Sequence, residues 1–341
     1  MLITGIAGTH LQADERNWLM APQVSGVILF QRNIADLEQL QALIGELREL
    51  RGDEFLITID QEGGPVQRVR EAPVTRLPAL AHLGALYDRD PQAAADMAEQ
   101  HAWLMATEMR ALGIDLSFAP VVDLARGNRA IGERALHADP EVVADLATAY
   151  VRGMHLGGMA ATMKHFPGHG SVLEDTHLDH ATDPRSLEAM RGSDLKPFAA
   201  CIEAGTEAVM MAHVTYPQVA PEPAGYSKRW IGEILRGEMG FSGVVFSDDI
   251  AMAAAAPVGG LSERIDAHLD AGCDLVLVCR AEWSAEAVAA CRDRAPCPAQ
   301  HLAALHGSVA LPWPALQDDP QHAEIVARVA ALDPDNTTGS T

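Results

Sequence analysis

Residues 159–180 read MAATMKHFPGHGSVLEDTHLDH, and the fold turns on how this run changes character halfway along. It opens apolar, as a strand does, and delivers Lys164 and His165 at its end. Pro167, Gly168 and Gly170 then break regular structure, and a polar loop follows with His169, Glu174, Asp175, His177, Asp179 and His180. Side chains able to trade protons near neutral pH are denser here than elsewhere in the chain. An apolar strand that finishes in a loop of ionisable groups is the arrangement found at the C-terminal face of an α/β barrel.

The same unit recurs outward from that run. Short apolar segments at 2–7, 26–30, 55–60, 115–120, 159–166, 207–214, 243–248 and 273–279 predict strands. Helical patterns lie between them at 36–50, 91–112, 140–156, 186–204, 228–239 and 262–271. Asp139-Pro140 opens one helix, and Gly157, Gly205 and Gly272 follow the ends of others. The strand segments are continuous apolar runs rather than polar/apolar alternations, as parallel strands covered on both faces require. No GxGxxG follows the first strand, so nothing favours an open dinucleotide-binding sheet. The expected fold is α/β, a single-domain (β/α)8 TIM barrel over residues 1–310. The tail 311–341 begins with the Pro-rich LPWPALQDDP, continues with a closing helix over 321–332 and ends frayed.

Composition narrows the partners. The 341 residues are 48% hydrophobic and carry a formal net charge of −22, from 47 acidic against 25 basic side chains. Nucleic acid and anionic membrane surfaces need clustered Lys and Arg, so neither is an expected partner. Five cysteines without a CxxC pair argue against a disulfide framework and a zinc knuckle. The opening MLITGIAGTHLQADER lacks the basic lead and apolar stretch of a signal peptide, and no run approaches the roughly 18 apolar residues of a membrane span. A soluble, cytoplasmic chain is expected, with a monomer as the simplest assembly and no metal or cofactor.

Charged residues recur where the strands finish. Asp60-Gln61-Glu62-Gly63-Gly64, followed by Arg68, ends the third; Asp123, Arg126, Arg129 and Arg134 follow the fourth; Lys164-His165 ends the fifth. His213 lies in the sixth, and the seventh runs into Phe246-Ser247-Asp248-Asp249. Taken singly, Asp60 and Asp248 read as helix caps or ion-pair partners, Lys164 as a counter-charge, and His165 and His213 as satisfied core histidines; Glu62 and Asp123 read as structural. Taken together they read as a site, because charge inside the last residues of apolar strands is costly to bury.

Three chemistries compete for that site. A metal centre would use His165, His169, His177 and His180 with Asp175, but Pro167 and its neighbouring glycines prevent the helix that pairs histidines at i, i+4. A Schiff-base aldolase would use Lys164, which nearby carboxylates would instead keep protonated. Glycoside hydrolysis needs an ionised carboxylate, a proton donor beside the leaving oxygen and polar groups on the sugar hydroxyls. Asp248, the His177/Asp175 pair and the set around Asp60 supply them. The pattern alone does not choose Asp248 over Asp249.

These motifs resemble glycoside hydrolase family 3, and within it the bacterial β-N-acetylglucosaminidases of peptidoglycan recycling. The resemblance rests on KHFPGHG (164–170), Asp175-Thr176-His177 and FSDD (246–249), supported by GVILFQRN (26–33), IDQEGGPVQR (59–68), AIGERALHADP (130–140) and MMAHVTYP (210–217). It covers about residues 1–280. It implies that Asp248 is the nucleophile forming a covalent glycosyl-enzyme. It implies too that His177 is the general acid/base, oriented by Asp175, and that Asp60, Arg68, Arg134, Lys164 and His165 hold the N-acetylglucosamine ring. A histidine titrating near ~6.5 gives and takes a proton at neutral pH without the burial a glutamic acid would need. The Asp-x-His spacing on a glycine-flanked loop lets the pair close over bound substrate. Glu174 competes with Asp175 as the partner of His177.

The resemblance therefore implies exo-acting hydrolysis of terminal GlcNAc from muropeptide fragments, with 1,6-anhydro-N-acetylmuramic acid as the other sugar. Two rival readings use the same barrel. One is a β-GlcNAc phosphorylase, since a histidine in place of a glutamate removes a charge that would repel phosphate. The other is a non-catalytic barrel that binds amino sugars.

Overall fold

The computed structural model describes residues 1–173, 181–252, 255, 259–308 and 311–333. The apolar runs form eight strands: β1 (Leu2–Gly5), β2 (Val24–Leu29), β3 (Leu56–Ile59), β4 (Leu116–Ser117), β5 (Thr162–Phe166), β6 (Ala208–Met211), β7 (Val244–Asp249) and β8 (Leu275–Val278). They pair in the order β4-β3-β2-β1-β8-β7-β6-β5, every pairing parallel. The two ends of that order meet through the segment after β4. Thr162 N–H donates to the Ala119 carbonyl at 2.7 Å, Lys164 N–H to that of Pro120 at 3.1 Å, and Val122 N–H to that of Lys164 at 2.9 Å. The (β/α)8 barrel is thereby closed. Strand β4 is only two residues long because the closing segment contains Pro120, which has no N–H for a ladder.

Both faces of each strand are apolar because both are buried. Ile3, Ile28, Leu56, Leu116, Met210, Val244, Phe246 and Leu275 pack together inside the barrel, with Phe118 edge-on to Phe246 at 5.2 Å. Their alternates Leu2, Val27, Ile57, Val209, Val245 and Val276 face the helical layer. Leu302, Leu305 and Cys297 join the inner cluster, so the chain after β8 covers one mouth of the barrel.

The helices start and stop on the signals in the sequence. Asp139 caps Pro140–Leu156 by accepting from Glu141 N–H at 2.9 Å, with Pro140 in the first turn. Gly272 ends Leu261–Ala271 in the left-handed region, at φ 115°. One helical pattern winds differently from expectation: Arg229–Glu238 is a π-helix. Past β8, Asp319 caps Pro320–Ala330, which buries Ile325 and Val329 and brings His322 Nε2 to 3.1 Å from Glu108. No helix among the described residues is long and apolar enough to cross a membrane.

Candidate active site

A cavity of about 500 Å³ opens where the strands end, walled by Asp60, Arg68, Arg134, Lys164, His165, Asp248 and Asp249 and floored by Ile28, Met210, Leu277 and Cys279. Residues at or just past the ends of β2, β3, β5, β6, β7 and β8 line it, and in two places neighbours in sequence share the cavity. Strict alternation would forbid this. The pairing of β5 with β6 shifts register between Lys164 and Phe166, and that of β7 with β8 shifts between Phe246 and Asp249. At these irregularities Lys164 and His165 both reach the cavity, as do Asp248 and Asp249.

Lys164 is the buried centre of the charge network. Its ammonium lies 2.9 Å from Asp60 Oδ1 and 2.5 Å from Glu62 Oε1. Glu62 also takes both Nε and Nη2 of Arg134, at 2.8 and 2.9 Å. Arg68 Nη2 approaches Asp60 Oδ2 at 3.4 Å. Burial alone would raise the Asp60 and Glu62 pKa values; Lys164 with Arg68 and Arg134 with Lys164 outweigh it and hold both carboxyls below their ordinary range. Burial would likewise lower Lys164, but Asp60 and Glu62 hold it above its ordinary value. An amine ion-paired to two carboxylates and held in its protonated form is a poor Schiff-base nucleophile, which counts against the aldolase reading.

His165 is held by Asp123, whose Oδ2 lies 2.6 Å from His165 Nδ1. His169, close by, is pushed down to about 4, mainly by burial and against the pull of Asp123. On β7 the two aspartates have different surroundings. Asp248 Oδ1 accepts the Asp249 N–H at 2.7 Å. The Asp249 carboxylate turns to backbone, accepting from Ala251 N–H at 3.0 Å and Cys279 N–H at 3.2 Å, and its pKa is raised by burial above all. His213 Nε2 lies 3.1 Å from the Asp249 carbonyl oxygen, behind the cavity wall.

Six side chains singled out in the sequence, Asp60, Arg68, Arg134, Lys164, His165 and Asp248, thus share one cavity. Asp175, His177, Glu174 and His180 lie outside the described residues. Two groups read as structural prove central to the network: Glu62 bridges Lys164 to Arg134, and Asp123 holds His165. Their adjacency to Asp60 and to the Arg-rich segment was the available signal, but which cation each would meet is a tertiary fact.

Comparison with known proteins shows the family and the fold. The model of the glycosyl hydrolase family 3 N terminal domain matches residues 3–305. A β-hexosaminidase of Stenotrophomonas maltophilia (strain R551-3) is 60% identical over 324 residues, covering 95% of this chain and 96% of its own. A β-hexosaminidase of Xanthomonas axonopodis pv. citri is 58% identical over 316 residues, covering 93% and 94%. Among solved structures, NagZ from Neisseria gonorrhoeae in complex with N-trifluoroacetyl-D-glucosamine superposes with a TM-score of 0.89 at 41% identity, covering 97% of each chain. A family 3 β-N-acetylglucosaminidase from a Paenibacillus species superposes at 0.79 with 35% identity, covering all of this chain and 62% of its own. Matched along nearly its whole barrel by the family model and by relatives of this identity, the chain belongs to glycosyl hydrolase family 3.

Proposed function

We propose that the chain is a β-hexosaminidase: an exo-acting, retaining β-N-acetylglucosaminidase that removes terminal GlcNAc from muropeptide fragments during peptidoglycan recycling in the cytoplasm, as a monomer. The observation that carries the reading is the Asp248 carboxylate on the wall of the cavity that also presents Asp60, Arg68, Arg134, Lys164 and His165. The names of the relatives described above point to the same chemistry.

In this reading the glycon ring enters the cavity with its hydroxyls toward the charge network. Asp60 accepts from hydroxyls, Arg68, Arg134 and Lys164 donate to them, and His165 contacts them through its ring. A nucleophile needs its carboxylate ionised, and in this reading Asp248 acts in that form. Asp248 attacks the anomeric carbon and forms the glycosyl-enzyme as the glycosidic bond breaks. His177, oriented by Asp175, gives its proton to the departing oxygen and then takes one from the water that releases the sugar.

The test is release of the phenol from an aryl β-GlcNAc, with Asp248→Ala reducing turnover roughly 10⁴-fold. Unchanged turnover in that variant would remove Asp248 from the mechanism. NMR of the first product should show the β anomer of GlcNAc; the α anomer would exclude retention. GlcNAc-1-phosphate formed in phosphate buffer would make the enzyme a phosphorylase instead. Slow or absent cleavage of GlcNAc-1,6-anhydroMurNAc would place its substrates elsewhere.

A further inference from the structure

Asp123 sits on the segment that closes the barrel, and its side chain is fully shut off from solvent. It nevertheless meets several donors from one short stretch of chain. His165 N–H approaches its two oxygens at 3.3 and 3.2 Å, and His169 N–H donates at 2.6 Å. The His165 ring completes the set through Nδ1 at 2.6 Å. A charge buried this deeply persists only where donors surround it. Burial alone would raise the Asp123 pKa; the His165 and His169 contacts reverse this and bring it below the ordinary carboxylate range. An ionised carboxylate only accepts, so the Nδ1 it touches carries a hydrogen, and Nε2 is the ring nitrogen left for the cavity.

We propose that Asp123 is a positioning residue acting through His165: it fixes the imidazole in the Nδ1–H form and aims Nε2 at a hydroxyl of the bound pyranose. What occupies the cavity rests on the hydrolase reading above; the Asp123–His165 pairing does not. The chain would then carry a buried Asp–His pair on the glycon side of the site, separate from the Asp175/His177 motif. A carboxylate placed only to stabilise the fold would be served by the two backbone donors. The ring contact adds control of which nitrogen bears the proton, and the backbone contacts lock the end of β5 in register with the ring. Asparagine at 123 has one acceptor oxygen for donors that now use two. Kept on the His169 N–H, that oxygen would leave the amide NH₂ facing the ring, which accommodates it by moving its proton to Nε2.

The experiment is long-range ¹⁵N NMR of the histidine-labelled full chain, with the His165 signals identified by their loss in His165→Gln. Wild-type protein should show hydrogen on Nδ1 of His165, and Asp123→Asn should shift it to Nε2. Asp123→Asn should also raise KM for an aryl β-GlcNAc roughly 10- to 100-fold, the range for carboxylate–histidine pairs in metal sites, with a smaller change in kcat. The double variant Asp123→Asn/His165→Gln should be no worse than His165→Gln alone. A wild-type His165 bare at Nδ1, or penalties that add in the double variant, would overturn the proposal, and the wild-type spectrum decides even where Asp123→Asn fails to fold. Wild-type protein inert toward the glycoside but with the expected spectrum would sink the hydrolase reading and leave the pair standing.

Discussion

Lys164 Nζ lies 2.5 Å from Glu62 Oε1, with neither side chain more than 2% exposed. Glu62 is also the bidentate partner of Arg134, so one carboxylate bridges two cations of the cavity wall. Removing one member of a buried pair leaves uncompensated charge and costs about 3–5 kcal/mol. Glu62→Gln keeps the shape and an oxygen acceptor, so its cost is expected near the lower end, about 3 kcal/mol by urea unfolding. A loss under about 1 kcal/mol would mean that Asp60 alone compensates both cations.

Acid should destabilise the fold in two stages. Burial pushes His101 and His169 down to about 4, and His268 well below its ordinary value of 6.5. A depressed folded-state pKa means that the unfolded chain takes up the proton first. Stability is therefore full above about pH 6.5 and is lost progressively down to about pH 4. Asp60, Glu62 and Asp123, also depressed, hold their contribution above about pH 4 and lose it only below. Thermal melts should show Tm declining from pH 6.5 downward, then falling more steeply under pH 4. A flat Tm between pH 7 and 5 would contradict neutral burial of these imidazoles.

Most of the barrel was legible because its strands obey one rule. Each is an apolar run bounded by turn residues, and all eight expected segments hold a strand. The closure between β4 and β5 was not legible, since it is made by irregular backbone after a proline rather than by a strand. Asp60, Lys164, His165 and Asp248 stood out because charge at the end of an apolar run is unusual in one dimension. Glu62 and Asp123 stood in similar places, but their importance depends on partners 72 and 42 residues away, which no local pattern encodes. The choice between Asp248 and Asp249 failed for a related reason: the register shift at β7 turns both toward the cavity, where alternation would have separated them.

Gly170 reads in the sequence as a breaker, but the structure gives it a different task. A Cβ there would lie 1.9 Å from the Leu124 carbonyl oxygen, a backbone atom with no room to yield. Gly170→Ala should therefore displace the start of the loop after β5, lowering stability by roughly 1–3 kcal/mol, the usual cost of forcing extra volume into packed structure. Activity should fall with it. Gly45→Ala is the control: it lies inside Leu37–Arg51 with nothing near its added methyl, so helix propensity should stabilise the protein by about 1 kcal/mol. Equal effects from the two substitutions would refute the close approach at Gly170.

Asp194 ties together the two chain segments that flank residues 174–180. Its carboxylate accepts from Ser171 Oγ at 3.0 Å on one side, and from Arg185 at 2.6 and 3.1 Å on the other. It is almost wholly buried, and Arg126 Nη1 adds a longer contact at 3.4 Å. None of these groups walls the cavity, so Asp194 has no hand in gripping the sugar ring. If the acid/base imidazole is His177, a frame that loosens both flanks should misplace the proton donor while leaving glycon binding intact. Asp194→Asn is accordingly expected to lower kcat by up to about 10²-fold, the cost of a misplacement near 1 Å, with little change in the inhibition constant of GlcNAc. Weakened GlcNAc inhibition with kcat preserved would reverse that assignment and make the flanks part of the binding site.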